Sequence, residues 1–251
     1  MNTEVTRIAH RRALRGRCPG EFILLEHHPD LSRRPEPTPG LIDTDNRGAA
    51  LAWNVFRTLE LIAPAFWLRR FRARLDVLTS LGTFDRSLSV RLWAGLPTPD
   101  ERGHREPVCV DALIETNTAV YGVMMFAGSD LTSGDSSLAR PDAILRVIDA
   151  VSWYAGARDC YIALITPDWP DTPIATGLIE RYRASRDGLR RRLPHRRDGL
   201  MNVVGIGRMT WRDVAGIIHD CAESDSLTDL ERFAARRTGR WLDSRGIYPP
   251  D

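Results

Sequence analysis

Residues 108–128 read VCVDALIETNTAVYGVMMFAG, and this stretch decides the fold. In its first half apolar residues alternate with others, which predicts that Val110, Ala112 and Ile114 lie on one face of a strand. An Asn-Thr pair then makes a tight turn. The second half is apolar on both faces, which is typical of a central strand covered on both sides. The stretch therefore predicts two neighbouring strands within a sheet that has helices on both faces.

The flanking sequence supplies the other elements of such a fold. One more strand pattern precedes the quoted stretch, and helical and strand patterns alternate after it. The expected strands cover residues 87–96, 108–116, 119–128, 161–166 and 201–206. The expected helices cover residues 45–62, 66–78, 140–157, 174–193, 211–221 and 227–245. This order predicts an α/β protein with a mixed central β-sheet flanked by helices on both sides.

The first 42 residues differ in composition from the rest. They are rich in arginine and proline, and residues 33–40 read RRPEPTPG. Alternating prolines hold a chain extended rather than helical. We therefore expect an arm over residues 1–42. A length of 251 residues lies at the upper end of what one domain usually holds, so a single α/β domain is expected over residues 43–251.

All 35 basic residues in the Lys+Arg count are arginines, and the chain contains no lysine. Enzymes that use a lysine nucleophile, a Schiff base or a P-loop lysine are thereby excluded. The net charge is only +2, so the chain does not coat nucleic acid by bulk charge. Any nucleic-acid contact must use a local basic surface.

The chain shows no pattern of export or membrane insertion. Its longest near-apolar run, residues 119–128, is far shorter than the roughly 20 residues that cross a bilayer. No apolar stretch with a cleavage site follows the first arginines, as a secretory signal requires. The four cysteines at positions 18, 109, 160 and 221 lack C-x-x-C spacing, which favours reduced thiols over a zinc site. A cytoplasmic protein without a membrane partner is expected.

Several segments carry the pattern of a known family. Residues 161–167 read YIALITP, residues 209–214 read MTWRDV, and the arginine-rich terminal helix contains Trp241. Together with Asp111 on an apolar strand, they resemble the core of the PD-(D/E)XK nuclease superfamily, in its prokaryotic branch, over about residues 43–246. The resemblance implies a restriction-endonuclease-like core and a place in a bacterial system such as defence.

The resemblance also implies where a catalytic site would lie. In that family an Asp on one core strand and an Asp or Glu on the next hold divalent cations, and a Lys two residues later helps to position water. Asp111 matches the first acid, but Met124 and Phe126 occupy the positions of the E-x-K pair. A migrated site would use Asp111, Glu115 and Asp130 as catalytic residues. In that site Asp111 and Glu115, four residues apart on one strand face, would be the ligands of Mg²⁺.

The densest basic segment follows the fourth expected strand. Guanidinium groups form paired hydrogen bonds with phosphates, so these arginines are candidates for nucleic-acid contact. A solvated helix end is an equally good interpretation, because arginines favour helix C-termini. The candidate residues are Arg186, Arg190, Arg191, Arg192, Arg196 and Arg197.

Most of the seven tryptophans fall on apolar stripes, which predicts that they pack in the core. They are Trp53, Trp67, Trp93, Trp153, Trp169, Trp211 and Trp241. Trp169 is the expected exception, because it lies in the loop after a core strand, where a base or a partner would stack.

Three functions stay open at the level of sequence. The first is an atypical or non-catalytic nuclease-fold protein that acts on or binds nucleic acid. The second is a structural subunit of an assembly, with a protein partner or as a homo-oligomer, and without a nucleic-acid role. The third is a metal-dependent nuclease with a migrated acidic site. The apolar residues at 124 and 126 argue against intact metal chemistry, since their side chains cannot replace carboxylates.

Overall fold

The computed structural model describes residues 47–75, 88–98, 107–126, 143–167 and 173–249. Within these ranges the chain forms five strands and seven helices. The arm over residues 1–42, Asp130 and Trp169 lie outside the described residues. None of the described helices is both long and apolar enough to cross a membrane.

The sheet is mixed, as the sequence predicts. Its strands are β1 (Ser89–Leu96), β2 (Val108–Glu115), β3 (Ala119–Met125), β4 (Asp159–Thr166) and β5 (Val203–Thr210). Their order across the sheet is their order along the chain. β1, β2 and β3 pair in antiparallel fashion, whereas β3, β4 and β5 are parallel. The carboxyl ends of the three parallel strands therefore lie at one edge of the sheet.

Helices cover both faces of the sheet. They are α1 (Arg47–Leu61), α2 (Pro64–Arg74), α3 (Ala143–Ala155), α4 (Pro173–Ala184), α5 (Arg186–Arg192), α6 (Trp211–Ala222) and α7 (Asp229–Ser244). α6 and α7 each begin with a capping box, made by Thr210 with Asp213 and by Thr228 with Glu231. Such boxes satisfy the first free N–H groups of a helix. α6 begins at Trp211 as the sequence predicts, whereas α7 begins at Asp229, two residues later than predicted.

Two hydrophobic cores result. The first core lies between the sheet and α1, α2, α6 and α7, and contains Phe56, Trp67 and Tyr121. The second core lies between the sheet and α3, α4 and α5, and contains Ile148 and Ile162. The α/β architecture with helices on both faces is thus confirmed.

The basic helix predicted over residues 174–193 is two helices. Ser185 separates α4 from α5 with an extended backbone (φ −146°, ψ 100°), and its hydroxyl accepts a hydrogen bond from the Gly188 N–H. A serine in this conformation starts a new helix, because its side chain replaces the missing backbone acceptor. β5 is also longer than expected, since it extends to Thr210.

The expected single face of β2 is wrong. Val110 packs in the second core, but Ala112 and Ile114 pack in the first. The change coincides with Trp93 on β1, whose φ of 51° is left-handed, and the ladder forms no pair between Trp93 and Asp111. A left-handed residue interrupts the alternation of side chains between the two faces.

Candidate functional site

Asp111 lies where β2 and β3 stop pairing. The last pair of residues in the ladder is Ala112 with Val123. Beyond it, the next N–H of β3 that points toward β2 is that of Met125. The Asp111 carboxylate accepts a hydrogen bond from this N–H at 2.7 Å and so replaces the missing strand acceptor. Burial raises the pKa of Asp111 to about 6, although the bond from Met125 opposes this shift. The Asp111 carboxylate is thus already used as a hydrogen-bond acceptor for the backbone of β3.

The two positions that the resemblance in sequence assigns to an E-x-K pair pack on the side of the second core. Met124 and Phe126 are partly buried and pack against that core. From the other side of the sheet, Trp211 Nε1 donates a hydrogen bond to the Phe126 carbonyl at 2.8 Å, which fixes the end of β3. Apolar side chains therefore occupy the two positions that the resemblance in sequence assigns to a second acid and a lysine.

Glu115 lies toward the opposite end of β2 and has partners of its own. Its carboxylate accepts hydrogen bonds from the Tyr154 hydroxyl (2.9 Å), from Arg158 (3.2 Å) and from Arg91 (3.1 Å). Both guanidinium groups also lie over the Tyr154 ring, at 5.0 and 5.5 Å from its centroid. The carboxylate is committed to two cations, and it shares no partner with Asp111.

These residues do not fit a magnesium ion. Hard cations take several oxygen ligands, usually carboxylates, within one site. The described residues contain no group of three or more His, Cys, Asp or Glu side chains that would hold a metal. Asp111 and Glu115 have separate hydrogen-bond partners, and Asp130 lies outside the described ranges.

A basic surface is formed by α4, α5 and the loop that follows. We call it the arginine corner and define it by its exposed arginines, which are Arg181, Arg183, Arg186, Arg190, Arg191 and Arg197. Arg183 and Arg186 line a small open pocket of about 100 Å³ beside β5, and Arg186 donates to the Val203 carbonyl at 3.0 Å. Arg190 donates to the Gly199 carbonyl at 3.1 Å and thus joins α5 to the loop.

Two of the predicted nucleic-acid residues are used inside the fold. Arg196 is 6% exposed and binds Asp149, Ser152 and Asp198 through its guanidinium. Arg192 lies over the Tyr182 ring, 5.6 Å from its centroid, and donates to its hydroxyl. Arg196 therefore anchors the loop to α3 rather than facing a ligand.

Trp153 is the residue that the sequence interpretation missed. It is 53% exposed, although the apolar stripe of α3 predicts a core position. Met201 in the nearby loop is 63% exposed, and its sulfur accepts a hydrogen bond from Arg190 at 3.2 Å. The helical pattern contains a signal for this, since Trp153 follows the exposed Arg146 by seven residues, which places both on one line of the helix.

Comparison with protein-family models, with curated proteins and with solved structures finds no match for the chain.

Proposed function

We propose that this chain is a nucleic-acid-binding protein on a PD-(D/E)XK-like scaffold whose hydrolytic site is no longer intact. The arginine corner is the binding surface. The resemblance in sequence supports a place in the cytoplasm of a bacterium, in a system such as defence.

The distribution of charge carries this proposal. Residues 173–199 contain eight arginines against three carboxylates. The whole chain carries a net charge of only +2, so acidic residues outnumber arginines in the remainder. A local excess of guanidinium groups on a nearly neutral protein is the electrostatic footprint of a phosphate-binding surface.

The contacts of these arginines support a ligand as well. Arg181, Arg191 and Arg197 are exposed, and their guanidinium groups make no ion pair or hydrogen bond with the residues that the structure describes. Arg186 is held by a backbone carbonyl, which orients it without neutralising it, whereas Arg190 is held by the Gly199 carbonyl and forms an exposed ion pair with Asp187 at 3.4 Å. Phosphate groups would supply the missing anionic partners.

The test is the binding of labelled oligonucleotides, followed by fluorescence anisotropy over a range of salt concentrations. A double variant, Arg191→Ala with Arg197→Ala, is expected to bind more weakly and to lower the slope of log K against log salt by about 1.4–1.8, because two phosphate contacts are lost. The matched control is Arg236→Ala with Arg240→Ala, which removes two exposed arginines from α7 on the other face of the sheet. If the chain does not bind oligonucleotides, or if both double variants weaken binding equally, the arginine corner is not the binding surface.

The loss of the hydrolytic site is tested separately. Single- and double-stranded DNA and RNA are incubated with the chain and Mg²⁺ or Mn²⁺, beside Asp111→Asn. We expect no cleavage that depends on Asp111, because its carboxylate is bonded to Met125 and its neighbours on β3 are apolar. Cleavage that disappears in the variant would instead establish a migrated active site.

A further inference from the structure

Trp153 is one of two exposed residues, with Arg146, on a helix that is otherwise largely buried. On α3 the buried residues are Ile144, Leu145, Val147, Ile148, Asp149, Ala150, Val151, Ser152 and Ala155. Among the tryptophans in the described ranges, four are buried and Trp93 is partly buried, whereas Trp153 is 53% exposed. Exposing a large indole in water costs free energy, so a ligand that covers it would recover that cost.

The ring is held in place by a fixed cation. The Arg196 guanidinium lies over the indole, 5.6 Å from the ring centroid. Arg196 is itself fixed by Asp149 (2.9 Å), Ser152 (2.7 Å) and Asp198 (2.6 Å). A ring that is packed on a buried guanidinium loses little further entropy when a second flat group stacks on it.

Trp153 also lies beside the arginine corner. Asn202 donates hydrogen bonds to the Ser152 carbonyl at 2.8 Å and to the Gly156 carbonyl at 2.9 Å, which attaches the loop to α3 on both sides of Trp153. The neighbouring Met201 is 63% exposed and contacts Arg190. The loop that carries this exposed thioether thus joins the exposed Arg190 of the arginine corner to α3, which carries the exposed aromatic ring.

This combination matches single-stranded nucleic acid. In a duplex the bases are stacked on each other, and a protein meets mainly phosphates, for which an indole is of no use. In a single strand the bases are free to stack on aromatic side chains, while a basic groove follows the backbone. We infer that Trp153 is a base-stacking platform and that the arginine corner prefers single-stranded nucleic acid to duplex. This inference rests on the proposed function.

The experiment compares three labelled ligands of equal length, about 16 nucleotides, near the upper end of usual site sizes. They are a single strand, the corresponding duplex, and a single strand with abasic sites, which keeps the phosphates but lacks bases. The wild-type chain is expected to bind the single strand most tightly. Trp153→Ala is expected to weaken that binding by about 5- to 150-fold, the equivalent of one stacked base, and to leave duplex and abasic binding unchanged. Trp153→Phe should restore part of the loss.

Controls separate this inference from the proposed function. Phe233→Ala removes an aromatic ring of similar exposure from α7, on the other face of the sheet, and should change none of the three affinities. Binding to none of the ligands would refute the proposed function itself. Equal affinity for single strand, duplex and abasic strand, unchanged in Trp153→Ala, would overturn the stacking platform alone. An oligomer of the wild type that dissociates in Trp153→Ala would also overturn it, because Trp153 would then be a protein contact.

Discussion

The free energy of unfolding contains a contribution from Asp111 on β2 that depends on pH. Burial raises the pKa of Asp111 to about 6, from the ordinary value of 3.8 that also applies to the unfolded chain. The folded state therefore binds more protons than the unfolded state between about pH 4 and pH 6. Stability from this residue is fully present below that window and is lost as the pH rises through it.

Asp111→Asn tests this at the level of one residue. The amide oxygen still accepts the hydrogen bond from Met125, and the buried charge is gone. We expect the variant to be more stable than the wild type by about 1–3 kcal/mol at pH 7.5, and the difference to vanish below about pH 4. Urea unfolding at both pH values measures it. A variant that is less stable at pH 7.5 would show that the charged carboxylate stabilises the fold.

Asp111→Ala is the matched comparison. It removes the charge and also the acceptor, so the Met125 N–H is left without its partner. This should cancel the gain in whole or in part, because an unsatisfied buried donor costs about 1–3 kcal/mol. The difference between the two variants measures the hydrogen bond separately from the charge.

At the scale of elements, the adjacent residues Arg196 and Arg197 differ in role, because one stabilises the fold and the other faces the solvent. Arg196 is buried against Asp149 of α3, whereas Arg197 is exposed. Arg196→Ala would leave the carboxylate of the buried Asp149 with only its hydrogen bond to His195 among the side chains that the structure describes. We expect a loss of about 3–5 kcal/mol in the free energy of unfolding and faster hydrogen exchange in the loop from Leu193 to Asn202.

Arg197→Ala is the internal control for that element. It should change stability by no more than about 0.5 kcal/mol, as is usual for exposed positions, while it weakens oligonucleotide binding. Similar losses of stability in both variants would contradict the assignment of Arg196 as the anchor of the loop. Hydrogen exchange followed by mass spectrometry and urea unfolding supply the two measurements.

The elements that sequence predicts well are those whose signal is local. β3 and β4 are nearly continuous apolar runs, and α6 and α7 begin after capping residues. Both kinds of signal are local in the sequence. The features that were missed are set by tertiary structure. Gly207 is an example of such a tertiary constraint, because a Cβ at this position would lie 2.6 Å from the Cα of Leu75 at the end of α2. No local sequence pattern contains that contact.

The candidate site divides in the same way. The absence of the E-x-K pair is visible in the sequence, because it concerns residue types at fixed positions. The separate partners of Asp111 and Glu115 are not visible there, because they are the Met125 N–H of β3 and the Tyr154 hydroxyl of α3, which the fold brings to them. Arg196 and Arg197 are indistinguishable by type, and the fold decides which one is exposed.

At the scale of the whole molecule, the sheet joins the two cores into one structure. Neighbouring residues of β4 point in opposite directions, so that Leu164 packs in the second core and Ile165 in the first. Both side chains are fully buried. The central strands thus contribute side chains to both cores. If one helix layer detached, one face of the sheet would be exposed to water.

Leu164→Ala and Ile165→Ala therefore form a matched pair for the single domain expected over residues 43–251. Each should cost about 2–5 kcal/mol, because each removes a buried aliphatic side chain and leaves a cavity. We expect both to lower the midpoint of one common transition, with circular dichroism and tryptophan fluorescence coinciding during urea unfolding. If the cores were independent, two transitions would appear, and each variant would shift only one of them. One transition that both variants shift would establish that α1, α2, α6 and α7 unfold together with the layer that bears the arginine corner.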